Sequence, residues 1–319
     1  MDIRPSREGD LLTIVDLINC CAAADGVDCA TSILELGAWW RGGGIQLADD
    51  CILVEHDGQP FGYAVLDRRP DSPVSTFSEF NIIGGVLPAF RGRGAGTMLI
   101  EECEHRALRC LGDVGRRRVS LMIWVNVRQA DLAELCRSHD FELSREFLTM
   151  EYSCSGHVDT VSPPQGYSIR QILPGEQGVV EQALSTAFRD HWGHPAMTLQ
   201  EWRHWHPDAA MFSNLTYVAL SPDGNVAGVC RCVVNPYQNR RIGKNQGWVE
   251  DLGVLRQHRG RGVGRALLLE GIYGLERAGC GNVLLDVDAE NPTGALYLYR
   301  SVGFRLYDKT AAWRKILRS

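Results

Sequence analysis

The fold is decided by the stretch "VEDLGVLRQHRGRGVGRALL" (residues 249–268), in which two apolar runs flank a loop rich in arginine and glycine. The run before the loop predicts a strand, and Leu268, Ile272 and Leu275 after it recur at helical spacing. A helix N-terminus carries unpaired amide donors and about half a positive charge, and glycine lets those amides approach an anion closely. The stretch therefore predicts a strand, an anion-binding loop and a helix.

The same phrase occurs upstream as "FRGRGAGTMLI" (residues 90–100), with Arg91 lying 168 positions before Arg259. Two further pairs follow the same order: "DIRPSREGD" matches "SIRQILPGE" at an offset of 166, and "LCRSHDF" matches "LYRSVGF" at an offset of 163. Such ordered self-similarity indicates a duplication. We predict a first domain at residues 1–154, a linker at 155–166 containing Ser, Gly and Pro, and a second domain at 167–319.

Each half follows one plan of strands and helices. An opening strand and a helical stretch precede a hairpin with an Asp-Gly turn, as in "DCILVEHDGQPFGYAVLD" and "LTYVALSPDGNVAGVCRCVVN". The loop, its helix, a strand, a short helix and a last strand follow. This order predicts an α/β (α+β) fold of two tandem domains, each a mixed, mostly antiparallel sheet flanked by helices.

Composition limits the class of protein. The 319 residues are 45% hydrophobic and 23% charged, as in globular domains, and the formal net charge of −6 argues against a general nucleic-acid binder. The N-terminus has no apolar run typical of a signal peptide, and no later run is long enough to span a bilayer. The eleven cysteines have no repeated spacing, which favours reduced thiols. We therefore expect a cytoplasmic protein with no nucleic-acid or membrane partner.

Other ligand-binding motifs fit less well. A triphosphate-binding loop needs Gly-Lys-Ser/Thr, which is missing, and a dinucleotide fold needs its glycine turn near a first strand, whereas these loops come late in each half. The pairs His191-x-x-His194 and His204-x-His206 suggest a metal, but no acidic or cysteine ligand completes a recognisable pattern nearby. We expect no metal.

Residues 249–268, together with "LDVDAENPTGALYLYRSVGF" (residues 285–304), resemble the GNAT superfamily of acyl-CoA-dependent N-acyltransferases. The resemblance covers almost the whole chain as a tandem pair, an arrangement similar to that of the mycothiol synthase family. It implies acetyl-CoA as co-substrate, because the Arg/Gln-x-x-Gly-x-Gly/Ala loop is the superfamily's pyrophosphate cradle. The residues implied to contact acetyl-CoA are Leu252, Val254, Arg259, Gly260, Arg261, Gly262, Val263, Gly264, Arg265 and Asn291 in the second half, and Val86, Arg91, Gly92, Arg93, Gly94, Ala95 and Gly96 in the first.

The resemblance also implies a catalytic tyrosine, Tyr299, in the short-helix segment Leu-Tyr-x-x-x-Gly-Phe. A phenol has a pKa of about 10 and a thiol one of about 8.5, so complete proton donation to the departing thiolate is uphill by roughly 2 kcal/mol. Tyr299 is therefore either tuned to a lower pKa by nearby positive charge or acts mainly as a hydrogen-bond donor to sulfur.

The predicted general base is Glu250, and Asp286 on the next strand is its rival. Side chains alternate along a strand, so Glu250, Leu252 and Val254 share one face and Asp251 takes the other. A β-bulge, which the family often has at this place, would swap that parity. The sequence therefore leaves open which of the two carboxylates shares a face with Leu252 and Val254.

The first half lacks these groups. Its strands "FNIIGGVL" (residues 80–87) and "VSLMIWVNV" (residues 119–127) contain no acid. Cys136 and Asp140 replace the tyrosine and glycine of the short-helix motif, and Arg128 stands where Asn291 would. The loop itself is intact, so we predict one working site in the second half and a retired copy that keeps the residues to bind acyl-CoA.

The acceptor is the least determined part of the function. "FRDHWGHPAMTLQEWRHWHP" (residues 188–207) predicts a lid over the second site, with Asp190, His191 and Trp192 as acceptor contacts; aromatics packed over a helix pair are the alternative. Asp251 on the strand before the loop is a further expected acceptor contact. We predict direct acetyl transfer, in a ternary complex, to a primary amine of a small molecule. Acetylation of a cysteinyl pseudo-disaccharide, as in mycothiol synthase, and a non-catalytic acyl-CoA-binding sensor are the alternatives. The oligomeric state is left open.

Overall fold

The computed structural model describes residues 1–69, 77–110, 118–154, 162–190, 215–291 and 293–317. The chain forms two compact units: Met1–Glu146 with Lys309–Ser319, and Phe147–Asp308. Most of the predicted linker, residues 155–161, lies outside the described residues. Within the described ranges, no helix is long and apolar enough to cross a membrane.

The first unit is a mixed sheet with helices. Its elements in chain order are β1 (Asp2–Pro5), α1 (Leu11–Asp25), α2 (Ile33–Gly43), α3 (Leu47–Asp50), β2 (Cys51–His56), β3 (Gln59–Arg68), β4 (Phe77–Val86), α4 (Ala95–Arg109), β5 (Arg118–Asn126) and α5 (Ala130–Ser138), followed by the start of β6 (Glu142–Ser153). Strands β1 to β5 lie side by side in chain order. The β4–β5 pair is parallel, whereas β1–β2, β2–β3 and β3–β4 are antiparallel, as predicted for a mixed, mostly antiparallel sheet.

The second unit repeats this plan. Its elements after β6 are β7 (Ser168–Gln171), α6 (Gln177–Ala187), β8 (Thr216–Leu220), β9 (Val226–Val233), α7 (Pro236–Ile242), β10 (Gln246–Val254), α8 (Val263–Arg277), β11 (Asn282–Asp288), α9 (Ala295–Val302) and the start of β12 (Arg305–Leu317). Strands β7 to β11 lie side by side, and β10–β11 is the parallel pair. The predicted fold class is confirmed in both halves.

The last strand of each unit comes from the other half of the sequence. Residues 147–153 of β6 pair antiparallel with β11 in the second unit, and residues 310–317 of β12 pair antiparallel with β5 in the first. The predicted boundaries, 1–154 and 167–319, describe the sequence repeat and stay a prediction. The packing units differ from them by this exchange of strands.

The helix after the second loop is anchored by its apolar face. Leu268, Ile272 and Leu275 of α8 are fully buried against β8, β9 and β10, which confirms the helical spacing predicted from the sequence. Complete burial of such a side chain contributes about 1.5–3 kcal/mol. These contacts fix the N-terminus of α8, and with it the loop, beside the end of β10.

Candidate active site

The two arginine-glycine loops adopt the same backbone conformation. Gly260 and Gly262 have φ angles of +72° and +84°, and Gly92 and Gly94 have +71° and +87°. This left-handed region is open to glycine and costs other L-residues roughly 1–2 kcal/mol. Gly262 and Gly94 are the N-caps of α8 and α4, so each loop turns directly into a helix N-terminus.

The first arginine of each loop is a brace for the loop backbone. Arg259 donates through Nε to the carbonyl oxygen of Val254 and through Nη2 to that of Ala187, both at 2.9 Å. Arg91 donates in the same way to Val86 at 2.9 Å. The sequence predicted that Arg91 and Arg259 contact acetyl-CoA. Their hydrogen bonds fix the loop against the end of the strand.

A cavity opens where β10 and β11 stop pairing. Their parallel register ends at Trp248 and Leu284, and a cavity of about 350 Å³ lies between the following parts of the two strands, the loop and α9. The predicted site residues that line it are Glu250, Leu252, Val254, Arg259, Gly260, Gly262, Gly264, Arg265, Asp286, Asn291 and Tyr299. The unpaired edges of the strands offer backbone donors and acceptors to a ligand.

Several predicted residues lie elsewhere. Arg261 is exposed outside the lining, and Val263, the first residue of α8, is buried in the core. Asp190 ends a short 3-10 turn after α6, while His191 and Trp192 lie outside the described residues. The predicted lid lies mostly outside the described residues and stays a prediction.

Glu250 is the extra residue of a β-bulge. On β9 and β10, Val249 pairs with Cys232 and Asp251 pairs with Arg231, which leaves Glu250 without an opposite residue. Val249 and Asp251 are both buried, but they lie on opposite faces of the sheet because their partners Cys232 and Arg231 are consecutive residues of β9, and Glu250 between them opens to the cavity. The bulge thus interrupts the alternation of side chains along β10 at the predicted base.

The environment of Glu250 favours a stronger base than a free glutamate. Its carboxylate is open to the cavity, but the surrounding protein desolvates it, and this burial raises its pKa. The positive charge of Arg231 opposes the rise, and the negative charges of Asp251 and Asp286 add to it. A base whose pKa lies nearer to neutrality accepts a proton more readily at physiological pH.

Asp286 lies across the cavity on β11. Thr149 on β6 donates a hydrogen bond of 2.6 Å to its Oδ1. Burial raises the pKa of Asp286, the Thr149 hydrogen bond lowers it, and the negative charge of Asp308 raises it. Asp286 therefore remains a second candidate base, held by a neighbour on an adjoining strand.

Tyr299 is buried in the cavity wall on α9. It is 7% exposed, and its ring packs against Phe304 with ring centroids 6.0 Å apart. Burial, together with the nearby Cys230 and Asp251, raises the pKa of the phenol above its ordinary value. Among the described residues its hydroxyl has no hydrogen-bond partner. Of the two alternatives drawn from the sequence, this environment favours a protonated phenol that donates a hydrogen bond to sulfur.

Asp251 does not line the cavity. Its Oδ2 lies 2.7 Å from Nε and 2.6 Å from Nη2 of Arg231, and both residues are buried. The sequence predicted Asp251 as an acceptor contact. The described geometry gives it a structural ion pair on the other side of the bulge.

The first unit lacks the two carboxylate positions. Strand β4 pairs with β3 without interruption, so that no bulge residue corresponds to Glu250, and Ile82 is buried in the core. Phe147 pairs with Asp288 and its repeat equivalent Thr310 pairs with Asn126, which places Trp124 at the position of Asp286. Cys136, at the position of Tyr299, is fully buried, and burial raises the pKa of its thiol to about 12.

The first arginine of the loop in the first unit forms an ion pair with a carboxylate from α1. Asp25, the last residue of α1, lies 2.5 Å from Nη1 of Arg91 through Oδ1 and accepts a hydrogen bond of 2.9 Å from Gln129 through Oδ2. Asp25 thereby connects the loop after β4 to the turn after β5. Leu135 also contacts Gly96 closely enough that a Cβ there would lie 2.7 Å from its Cδ2.

Some lining residues were not singled out from the sequence. Phe188, His258, Thr293 and Leu298 also line the cavity. His258 stood inside the quoted loop, and the signal that distinguishes it is its replacement by Phe90 in the other copy. In the part of the chain that the structure describes, no group of three or more His, Cys, Asp or Glu residues is arranged to hold a metal ion.

Comparison with known families identifies both halves. The profile described as "Acetyltransferase (GNAT) family" matches residues 179–304, and that described as "Acetyltransferase (GNAT) domain" matches residues 48–143. Mycothiol acetyltransferase of Saccharomonospora viridis is 30% identical over 247 residues, which cover 76% of this chain and 75% of the relative. The protein of the same name from Geodermatophilus obscurus is 29% identical over 315 residues, 95% of this chain and 93% of the relative.

Solved structures share the tandem fold. A GCN5-related N-acetyltransferase from Sphaerobacter thermophilus aligns with a TM-score of 0.77 and 26% identity, covering 100% of this chain and 96% of that one. A tandem GNAT protein from the clavulanic acid biosynthesis pathway aligns with a TM-score of 0.73 and 17% identity, covering 100% and 99%. At 17% identity, the second match shows the fold alone.

Proposed function

Because the chain belongs to the GNAT acetyltransferase family, we propose that its second half transfers the acetyl group of acetyl-CoA to a primary amine of a small molecule. The family is one of acyltransferases that use acetyl-CoA as co-substrate. The observation that carries the proposal is the cavity in which the glycine loop, Glu250, Asp286 and Tyr299 come together. This arrangement supports direct transfer, because donor and acceptor would meet between the same groups.

The loop and the strand edge fit the acyl-CoA donor. The amides at the start of α8 and Arg265, which lines the cavity, suit the pyrophosphate, and the unpaired edge of β10 suits the amide-containing arm. A Cβ built on Gly260 meets no atom within 4 Å, so space is present beside the loop. A Cβ built on Gly264 would lie 3.5 Å from Val254 and 3.6 Å from Leu298, which both line the cavity beside the start of the helix.

Glu250 and Tyr299 fit the two proton tasks of the reaction. The amine nitrogen forms a bond to the thioester carbonyl carbon and gives up a proton, which Glu250 takes directly or through water. The carbon–sulfur bond then breaks, and the electron pair leaves on sulfur. Tyr299 donates a hydrogen bond to that thiolate, and solvent or the protonated base supplies the proton of the free thiol.

The proposed acceptor is a primary amine, and the cysteinyl pseudo-disaccharide is the first compound to test. Two relatives that match most of this chain are named mycothiol acetyltransferase. This favours the cysteinyl pseudo-disaccharide considered from the sequence, whose free amine suits a site with two carboxylates. The negative charges of Glu250 and Asp286 would attract the ammonium form before one of them removes its proton.

The proposal is tested by thiol release from acetyl-CoA across a panel of amines that includes the cysteinyl pseudo-disaccharide. We expect turnover with at least one amine and a loss of at least tenfold in Tyr299→Phe, since that change removes only the hydroxyl. Cys136→Ala, at the equivalent position of the first unit, is the matched control and should leave turnover nearly unchanged. Binding of acetyl-CoA without turnover of any amine would support the sensor alternative instead.

A further inference from the structure

One side chain of the loop differs between the two copies. His258 precedes Arg259 in the second unit and Phe90 precedes Arg91 in the first. The backbone is the same at both places: a short 3-10 turn ends at each residue, whose amide donates to the carbonyl three residues earlier, in Leu255 and Leu87. The exchange of phenylalanine for histidine therefore changes the chemistry of the position and not its fold.

The two side chains are used differently. Phe90 stacks on Phe61, with ring centroids 4.3 Å apart, and lies under the guanidinium of Arg93 at 5.6 Å. His258 instead lines the cavity. Its Nδ1 lies 3.0 Å from the hydroxyl of Tyr167, and the two rings meet edge to face.

Tyr167 comes from the turn that follows the link between the halves. Its amide donates to the carbonyl of Pro164, and the Pro164 ring lies 3.5 Å from the place of a Cβ on Gly262. The turn thus contacts the loop at two points, His258 and Gly262. In the tautomer in which Nδ1 accepts from the phenol, Nε2 carries the ring proton and is a donor.

We propose that His258, positioned by Tyr167, is an additional phosphate contact of the acyl-CoA site. This inference rests on the proposed function. Nε2 has no hydrogen-bond partner among the residues that the structure describes, and the ring borders the same cavity as Gly260, Gly262 and Arg265. A donor placed there suits a phosphate oxygen of the nucleotide end, either of the pyrophosphate or of the 3′-phosphate.

The test is calorimetry of the full chain with coenzyme A, 3′-dephospho-coenzyme A and pantetheine. We expect His258→Phe to weaken coenzyme A binding about tenfold, the usual effect of losing one hydrogen bond to a charged group, and to leave pantetheine binding unchanged. Because Phe90 already supports this loop conformation, misfolding of the loop would not explain such a loss. If 3′-dephospho-coenzyme A shows the same loss, the contact is to the pyrophosphate; if it shows none, the contact is to the 3′-phosphate.

Tyr167→Phe tests the positioning role. We expect about a threefold loss of coenzyme A affinity in the otherwise wild-type chain and no further loss when it is added to His258→Phe. His139→Phe is the control, because His139 is also part-buried and hydrogen-bonded, to Thr97 at 3.3 Å, but lies in the first unit. A merely structural Tyr167 would weaken pantetheine and coenzyme A alike.

Two outcomes overturn the inference and are distinguishable from failure of the proposed function. Equal coenzyme A affinity in wild type and His258→Phe, or an equal loss for pantetheine, would refute the phosphate contact while leaving the acyl-CoA site in place. Absence of any coenzyme A binding by the wild-type chain would refute the proposed function and this contact together.

Discussion

Arg231 on β9 and Asp251 on β10 form a buried ion pair directly beside the bulge residue Glu250, with 2.6 Å between Nη2 and Oδ2. The pair joins the two strands on one side of the bulge, while Glu250 opens to the cavity on the other. A buried charge must keep its partner, because an isolated one is costly in a low-dielectric interior. The ion pair therefore fixes the backbone from which the predicted base projects.

Loss of the negative partner should destabilise the second unit. We expect Asp251→Asn to lower the free energy of unfolding by about 3 kcal/mol, because it leaves the Arg231 guanidinium buried opposite a neutral amide. Urea unfolding followed by circular dichroism measures the change. Asp223→Asn, at an exposed turn between β8 and β9, is the control and should have little effect. Equal stability of the two variants would contradict the buried ion pair.

The raised pKa of Glu250 predicts the pH dependence of catalysis. The base acts when it is deprotonated, so a raised pKa moves the acidic limb of kcat/KM above the ordinary glutamate value of 4.5. Activity should therefore fall on acidification at a higher pH than for a free carboxylate. Glu250→Gln should lower kcat by about a hundredfold and abolish this limb. Steady-state rates over a pH series measure both effects.

Asp286→Asn provides the comparison that separates the two candidate bases. If Glu250 is the base, this variant keeps the acidic limb but shifts it to lower pH, because a negative charge that raises the pKa of Glu250 has been removed. Disappearance of the limb in Asp286→Asn, with its retention in Glu250→Gln, would assign the role to Asp286 instead.

The left-handed conformation of Gly262 predicts a position-specific effect on stability. Gly262→Ala should lower the free energy of unfolding by about 1 kcal/mol, because an L-residue is strained at a φ of +84°. Gly264→Ala is the matched variant two residues later: its Cβ would meet Val254 and Leu298 at 3.5 and 3.6 Å, which is ordinary contact. Thermal unfolding of both variants measures the difference, and an equal loss would show that backbone strain is not the cause.

The first-half loop is tested by the stoichiometry of binding. The prediction that its residues contact acyl-CoA leads us to expect a second site, which is weaker because the negative charge of Asp25 beside the loop repels the phosphates. In calorimetry with coenzyme A, Asp25→Ala should strengthen that weaker site several-fold, while Asp16→Ala, exposed on the same helix, should not. A single site in wild type and in Asp25→Ala would refute the first-half contacts.

Most of the fold was predictable from local patterns in the sequence. The duplication, the order of strands and helices and the glycine loops follow from spacing and turn residues, which depend on neighbours in sequence. The bulge at Glu250 was left open as a possibility, and its effect on the two carboxylates required the actual register. The ion pair of Asp251 was missed because its partner Arg231 lies on another strand, and no local pattern marks such a pair.

The exchange of the last strands was not predictable for a different reason. The segments that become β6 and β12 follow equivalent short-helix motifs in the repeat, so either strand carries the pattern needed beside β5 or β11. The local sequence therefore does not distinguish the two pairings, which depend on the tertiary structure. His258 was likewise visible in the sequence, but its role depends on Tyr167, which is 91 positions away.

The exchange has a consequence for how the chain responds to a protease. A single backbone cut between the halves would leave each sheet built from both fragments, since residues 147–153 belong to one and 310–317 to the other. The severed pieces would run separately under denaturing electrophoresis and yet migrate as one particle in gel filtration. The pairing of β6 with β11 and of β12 with β5 would therefore hold the two fragments together after the cut.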